Sequence, residues 1–304
     1  MPSRYDDDFA STVTSLSDGL DAWQSLNWDP AVTSPDFYYW CGNISSTQIQ
    51  WPNTAGLATT VASLIEAAGH PSNTSLINQM LNWIGYANYT EVTPCAQLGM
   101  TQDQCFSQRN ATYYAQDDLT QPWRSWPYQY CTQWGYLQTG SGFPVNEQSL
   151  VSRLLTLQYN SYICNYAFDI YTPPDTDAIN KYGGYNISYP RLAIIGGEWD
   201  PWRPATPQAW ESGAKNRTST IEQPDLLIPR AIHHVSSLFS IPADELRGCG
   251  LTTKQWDENG LFPNQTNSTL PPQTIQTVQS QERQFVLAWM EEWKKRCSSC
   301  GGCS

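Results

Sequence analysis

Two short apolar runs in the second half of the chain have the hydrophobic pattern of buried strands. The first, Leu192-Ala-Ile-Ile195, leads through two glycines to Asp200, and the second, Leu226-Leu-Ile228, leads to His233 and His234. Continuous apolar runs of this length, bounded by Gly and Pro, predict strands that are covered on both faces. An acid and a histidine would then follow the carboxyl ends of neighbouring strands.

Elsewhere the apolar residues recur at helical spacing and predict helices. The helix predicted over residues 76–86 is preceded by Asn73 and Ser75, and either of these residues can cap it through a side-chain oxygen. The predicted helices cover residues 55–69, 76–86, 147–158 and 274–295. The third carries Leu150, Leu154 and Leu157 on one side, and the buried side of the fourth is formed by Val278, Phe285, Trp289 and Trp293.

The order of these elements predicts an α/β fold. Residues 1–118 have the pattern of helices and loops, whereas from residue 119 an aromatic-rich stretch leads to a helix, the two strands and a closing helix. Strand, helical stretch, strand and terminal helix are typical of the end of a doubly wound sheet.

Asp200 and His233 follow one another in the order of the last two members of a Ser…Asp…His triad in α/β-hydrolases. The sequence contains no Gly-x-Ser-x-Gly, and Ser141 lacks the flanking strand and helix that a nucleophile elbow needs. We therefore expect the C-terminal portion of a serine hydrolase. The competing interpretation of Asp200 is an Asx-turn residue ahead of Pro201.

Composition narrows the classes of partner. A net charge of −12 and a pI near 4.5 argue against nucleic acid and anionic membranes, which need clustered Lys and Arg. No apolar run approaches the roughly 18 residues needed to span a bilayer. Charged residues make up only 14%, while Trp and Tyr reach 14 and 17 copies.

Two features favour an oxidising compartment. Nine cysteines are many for a cytosolic enzyme without metal-site spacing, and Asn-x-Ser/Thr triplets exceed random placement. We expect secretion to the extracellular space or a vacuolar–lysosomal destination, although the first residues lack the apolar core of a signal peptide. The predicted glycosylation sites are Asn43, Asn73, Asn88, Asn110, Asn186, Asn216, Asn264 and Asn267.

The cysteine spacing suggests disulfides, and no cofactor or metal is predicted. Cys95 and Cys105 span a short loop, and Cys131 and Cys164 flank a helical stretch, so that each pair could bridge. The terminal run of Cys297, Cys300 and Cys303 has metal-like spacing, but it lacks a second cluster or a partner His. Disulfides in a flexible tail are the favoured interpretation, and His70 is expected to be a surface residue after a helix.

The segment Gly196-Gly-Glu-Trp-Asp-Pro-Trp202, followed by Ala231-Ile-His-His234, resembles the prolyl carboxypeptidase and dipeptidyl peptidase II family of serine peptidases. That family shows Gly-x-x-Asp-Pro-Trp and Ala-His-His at these places. Tyr130-Cys-Thr-Gln-Trp-Gly135 is similar to a further family segment. The resemblance implies the C-terminal part of an α/β-hydrolase fold in residues 119–304, preceded by a partial helical lid domain in residues 1–118.

The resemblance also implies roles for individual residues. Asp200 would be the triad acid and His233 the general base, while Trp202 and Tyr136 would bind the substrate. The implied activity is hydrolysis of proline-containing peptides by an exopeptidase through acyl transfer, here in a truncated chain without its nucleophilic serine. The chain departs from the family pattern at Ile232, at Val235-Ser236 and at Gln133, where Glu is common.

Two other functions compete with that of a peptidase. A secreted pseudo-peptidase would bind proline-containing peptides without cleaving them. A glycan-binding or structural wall protein would account for the many aromatic residues, but these show no repeated spacing. Exopeptidase and endopeptidase specificity both stay open, as does the oligomeric state.

Overall fold

The computed structural model describes residues 19–27, residues 33–233 except 108, 141, 143 and 148, and residues 271–300. His234, Ser141, Asn264 and Asn267 therefore lie outside the described residues. Within these residues the strands are β1 (Ile194–Gly197) and β2 (Asp225–Ile228). The described α-helices are α1 (Asp36–Ser45), α2 (Ala58–Ala67), α3 (Thr74–Ala87), α4 (Thr93–Gln97), α5 (Gln102–Phe106), α6 (Ala111–Tyr114), α7 (Ser125–Gln129), α8 (Leu157–Asn160), α9 (Tyr162–Phe168), α10 (Thr176–Asn180) and α11 (Gln273–Cys300).

The described chain divides into two compact units. Residues 46–181 form the first, here called the helical unit, and residues 20–45 together with those from 182 onward form the second, the sheet unit. This grouping differs from the predicted boundary near residue 118, because residues 119–181 make their contacts with helices and residues 20–45 with the strands. The assignment of a lid and a hydrolase core to particular residues stays a prediction.

The sheet unit is built around two parallel strands, as the apolar runs predict. Ile194 lies opposite Asp225, and Gly197 lies opposite Ile228. Parallel strands are stable only when their faces are covered, and here α1 and α11 supply apolar side chains to the same core as β2. The buried members of that core are Leu26, Tyr38, Ile228, Ala231, Ile232, Ile275 and Val278.

The helical unit has a small core between α2 and α3, to which Val61, Ile65 and Leu81 contribute. The predicted cap is Asn73, whose side chain accepts a hydrogen bond from the backbone N–H of Leu76. α3 also carries Asn82, which is fully buried. Its amide hydrogen-bonds the backbone of the preceding segment at Ser46, Gln48 and Gln50, which fixes that segment against the helix.

Both predicted disulfides are present in the helical unit, linking Cys95 to Cys105 and Cys131 to Cys164. Cys41 and Cys297 of the sheet unit are also disulfide-bonded. Cys297 lies on α11, so this part of the predicted tail is helical rather than flexible. His70 is exposed just after α2, as expected.

Two details of the helix predictions are wrong. Residues 147 and 149–156 form turns and bends rather than a helix, and the leucines at 150, 154 and 157 are all exposed. The Thr156 side chain accepts from the N–H of Tyr159 and starts the short α8 there instead, and Leu155 and Tyr159 are the buried residues. On α11, Val278 and Phe285 are buried as predicted, but Trp293 is 58% exposed. None of the described helices is long and apolar enough to cross a membrane.

Candidate active site

Asp200 lies in the turn just beyond β1, beside the loop that follows β2. The N–H of Glu198 donates to the carbonyl of Ile228 (3.0 Å), and the N–H of Trp199 donates to that of Ala231 (2.8 Å). These two bonds extend the pairing of the strands beyond their carboxyl ends. They place the two loops that carry Asp200 and His233 side by side, as the sequence predicts.

The carboxylate of Asp200 faces the imidazole of His233. The Nδ1 atom lies 3.1 Å from Oδ1 and 3.0 Å from Oδ2. Oδ1 also accepts a hydrogen bond from the backbone N–H of Trp202 (2.8 Å). Asp200 is thus both the Asx-turn residue and the partner of the histidine, so the two interpretations of this residue are compatible. The turn fixes the carboxylate for its contact with the ring.

This geometry suits a general base. Both side chains are largely covered, with 12% of the Asp200 side chain and 27% of the His233 side chain exposed. A carboxylate next to Nδ1 favours the tautomer that carries its proton there, which leaves Nε2 as the proton acceptor. The same carboxylate stabilises the imidazolium after proton uptake.

The indole of Trp202 lies beside this pair. Its ring centroid is 6.2 Å from that of His233, and its Nε1–H donates to Oε1 of Gln24 at 2.7 Å. The neighbouring Trp23 donates its own Nε1–H to the carbonyl of Trp199 at 3.2 Å. Residues 23 and 24, which belong to the N-terminal segment of the sheet unit, therefore hold the loop after β1 in place.

Tyr136, the other residue expected to bind substrate, belongs to the helical unit. Its ring lies in an aromatic cluster, with centroids 5.6 Å from Trp134 and 6.2 Å from Trp126. Gln133 is exposed in the same segment. The structure thus brings Asp200, His233 and Trp202 together within one unit, and a role for Tyr136 stays a prediction.

Sequence reasoning missed two residues that support the site. Glu198 accepts a hydrogen bond through Oε2 from the backbone N–H of Arg230 (2.7 Å), a residue in the left-handed conformation (φ 57°) three positions before His233. Gln24 orients Trp202 as described above. The only signal for Glu198 is its place within the Gly-Gly-Glu-Trp-Asp motif, and Gln24 has none because its partner is distant in sequence.

The loop that carries His233, here called the histidine loop, approaches β1 so closely that position 197 requires a glycine. A Cβ atom on Gly197 would lie 2.4 Å from the carbonyl oxygen of Ala231 and 2.5 Å from that of Ile232. These are backbone atoms, so the loop that carries His233 would have to move. We expect Gly197→Ala in the full-length protein to destabilise the fold by about 1–3 kcal/mol, the usual cost of overpacking, measured by chemical denaturation.

Gly42→Ala is the matched control for this substitution. Gly42 lies inside α1 of the same unit, and nothing is within 4 Å of the position of its Cβ atom. Alanine there removes the glycine penalty and should stabilise the helix by up to about 1 kcal/mol. Equal effects of the two substitutions would contradict the proposed packing of the histidine loop on β1.

The predicted glycosylation sites that the structure describes differ in exposure. Asn73, Asn88, Asn186 and Asn216 are exposed, whereas Asn43 and Asn110 are half-buried. Among the described residues, no group of three His, Cys, Asp or Glu side chains could hold a metal ion.

Curated relatives of this chain are serine peptidases by name. It is 41% identical over 287 residues to a probable extracellular serine carboxypeptidase of Arthroderma benhamiae, an alignment that covers 94% of this chain and 36% of the relative. It is 27% identical over 248 residues to the serine protease vicPa of Bipolaris victoriae, an alignment that covers 78% of this chain and 43% of the relative. It is 23% identical over 226 residues to the thymus-specific serine protease of Mus musculus, an alignment that covers 67% of this chain and 42% of the relative.

The chain therefore spans less than half the length of these relatives. A family model described as serine carboxypeptidase S28 matches residues 38–239. That range includes both strands, the turn after β1 and the pair formed by Asp200 and His233. Two-thirds of the sequence thus fits a single family, and the chain belongs to the serine carboxypeptidase S28 family.

Proposed function

We propose that the protein is a serine peptidase in which Asp200 and His233 are the acid and the base of the catalytic triad. The observation that carries this proposal is the contact of His233 Nδ1 with both carboxylate oxygens of Asp200, at 3.0 and 3.1 Å, just beyond the ends of parallel strands. In α/β-hydrolases the acid and the base occupy this edge of the sheet and follow the nucleophile in sequence.

The proposed reaction is acyl transfer. A serine hydroxyl attacks the peptide carbonyl while Nε2 of His233 takes its proton, and the protonated ring then gives that proton to the leaving amine. Water hydrolyses the acyl-enzyme by the same proton transfers in the second half of the reaction. Asp200 holds the tautomer and stabilises the imidazolium throughout, and backbone N–H groups near the nucleophile would bind the oxyanion.

The nucleophile of this reaction is proposed to lie in a segment of the full-length protein outside these 304 residues. The sequence has no Gly-x-Ser-x-Gly, and it aligns with less than half of each relative described above. We therefore expect a polypeptide limited to these 304 residues to have negligible peptidase activity. Hydrolysis of a prolyl substrate by that polypeptide at the rate of the full-length enzyme would contradict the proposal.

The proposed substrate is a peptide with proline before the cleaved bond. The indole of Trp202 offers a flat apolar face beside His233, which suits packing against a proline ring. Two substrates separate the exopeptidase types. An N-blocked peptide ending in Pro-Xaa is cleaved by a carboxypeptidase, and a free Xaa-Pro dipeptide joined to a chromogenic amine is cleaved by a dipeptidyl peptidase.

Replacement of Trp202 tests the substrate pocket. In the full-length enzyme we expect Trp202→Ala to lower kcat/KM for the prolyl substrate about 10- to 100-fold, in the range of other lost apolar pocket contacts. Trp293→Ala is the control, because Trp293 is exposed on α11 in the same unit and should leave the kinetics unchanged. A similar loss in both variants would indicate a general effect on folding instead.

A binding-only role is the alternative, and the absence of a nucleophile motif from the sequence favours it. A pseudo-peptidase would bind proline-containing peptides with micromolar affinity, and this binding would survive His233→Ala but weaken in Trp202→Ala. Calorimetric titration with an uncleaved prolyl peptide measures this binding. Hydrolysis of a cleavable prolyl peptide by the full-length protein separates the two roles, because a binding-only protein would bind that peptide and leave it intact.

Secretion and N-glycosylation are part of the proposal. A relative is named an extracellular enzyme, and Cys95, Cys105, Cys131 and Cys164 are joined in two disulfides, which persist in oxidising compartments. The exposed triplets at Asn73, Asn88, Asn186 and Asn216 are then accessible acceptors. Glycopeptide mass spectrometry of the secreted protein tests this part directly.

A further inference from the structure

A surface cavity of about 250 Å³ lies in the sheet unit, away from Asp200 and His233. Ile194 and Asp225, the first residues of β1 and β2, are part of its wall. The cavity is therefore at the amino ends of the parallel strands, whereas the candidate active site is beyond their carboxyl ends. Its volume falls below the roughly 300–1,000 Å³ of sites for drug-sized ligands, which limits an occupant to about one ring.

Two N-glycosylation triplets meet at this cavity. Ser188, the third residue of Asn186-Ile-Ser188, and both Arg217 and Thr218 of Asn216-Arg-Thr218 line it. The two segments are joined by a hydrogen bond from Nη2 of Arg217 to the carbonyl of Tyr185 (2.9 Å). The two acceptor asparagines are exposed, and Asn216 lies within roughly 7 Å of Thr218 along the chain.

The wall of the cavity combines groups that suit a sugar ring. Tyr189 is 72% exposed and offers an aromatic face, next to the apolar side chains of Leu192 and Pro224. Asp225 accepts from Nε2 of Gln208 through Oδ1 (2.6 Å), and its second oxygen can accept from a hydroxyl. Within the described part of the chain no carboxylate pairs with Arg217, so its guanidinium can donate to an acetamido carbonyl.

We propose that Asn216 carries an N-linked glycan whose first N-acetylglucosamine lies in this cavity, against Tyr189 and within reach of Arg217 and Asp225. Asn216 is preferred to Asn186 because both residues that follow it form part of the wall. The sugar covers apolar surface at the amino ends of the strands and stabilises the sheet unit. This inference rests on the proposed secretion of the protein but not on its peptidase activity.

The test is the rate at which a peptide-N-glycosidase releases glycans from the secreted, folded full-length protein, followed site by site by mass spectrometry. We expect release from Asn216 to be at least about tenfold slower than from the exposed Asn88, since the glycosidase reaches the amide bond between the asparagine and the first sugar only after that sugar leaves the cavity. Denaturation should make the two rates equal. Tyr189→Ala should speed release at Asn216 and leave Asn88 unchanged.

A second measurement separates the first sugar from the rest of the glycan. An endo-β-N-acetylglucosaminidase leaves that sugar attached, so the Tm should be unchanged after trimming but should fall in Asn216→Gln, with Asn88→Gln as the control. Glycan on Asn88 with a bare Asn216, or equal native release rates at the two sites, would overturn this inference alone. Absence of glycan from every triplet would overturn the proposed secretion as well.

Discussion

His233→Ala in the full-length enzyme should lower kcat by about a million-fold, the loss seen when the histidine of a serine-peptidase triad is removed. The substitution removes the group that is proposed to take the proton from the attacking serine and to return it to the leaving amine. KM should change little, because the ring takes part in proton transfer rather than in ground-state binding. Steady-state kinetics with a prolyl substrate measure both constants.

The adjacent histidine is the control for this experiment. Side chains of neighbouring residues diverge, so His233 and His234 cannot both serve one nucleophile. We expect His234→Ala to retain far more activity than His233→Ala. The reverse order of the two losses would move the base to His234 and would leave the contact between Asp200 and His233 with a structural role only.

The parts of the fold that could be predicted are those with a strong local pattern. The apolar runs before Asp200 and His233 are strands because Ile194, Ile195, Leu226 and Leu227 can be covered from both faces of a parallel pair. Their parallel register then brings the following loops together. The order of acid and histidine was enough to predict that these two side chains meet, although it gave no distance between them.

Other features depended on tertiary contacts that no local pattern records. Leu150, Leu154 and Leu157 have helical spacing, yet they are exposed, since the turn at Thr156 sends Leu155 and Tyr159 inward instead. Trp293 has the spacing of the apolar side of α11, yet it is exposed, whereas Ile275 and Val278 of the same helix pack in the core with Ile228. In both cases periodicity showed which residues share a side but not whether a partner covers it.

The hydrogen bonds that hold the loops of the candidate site could not be predicted from local patterns either. Gln24 and Trp202 form a hydrogen bond across most of the sequence, and Glu198 binds the backbone of Arg230 rather than a side chain. Neither contact leaves a spacing that a reader of the sequence could recognise. The strand ends fix the positions of Asp200 and His233, whereas these distant polar contacts hold the loops that carry them.

Asp200→Asn tests that orientation and should lower kcat about ten-thousand-fold. If the amide oxygen keeps the hydrogen bond from the N–H of Trp202, its –NH₂ group takes the place of Oδ2, which lies 3.0 Å from Nδ1 of His233. An –NH₂ group only donates, so its approach to Nδ1 favours the tautomer in which Nδ1 accepts and the ring proton lies on Nε2. The histidine then presents a donor, not a base, to the serine.

Asp118→Asn is the matched control, because Asp118 makes the same kind of turn in the helical unit. Its Oδ1 accepts from the backbone N–H of Thr120 at 2.9 Å, as Asp200 does from Trp202 at 2.8 Å, but it is exposed. The hydrogen bonds from Thr120 hold the pKa of the Asp118 carboxyl below its usual range. Circular dichroism should show both variants folded, with kcat lost only in Asp200→Asn. An Asp200→Asn enzyme that kept a tenth of its activity would mean that the carboxylate does not set the tautomer of His233, because a wrong tautomer removes the base altogether.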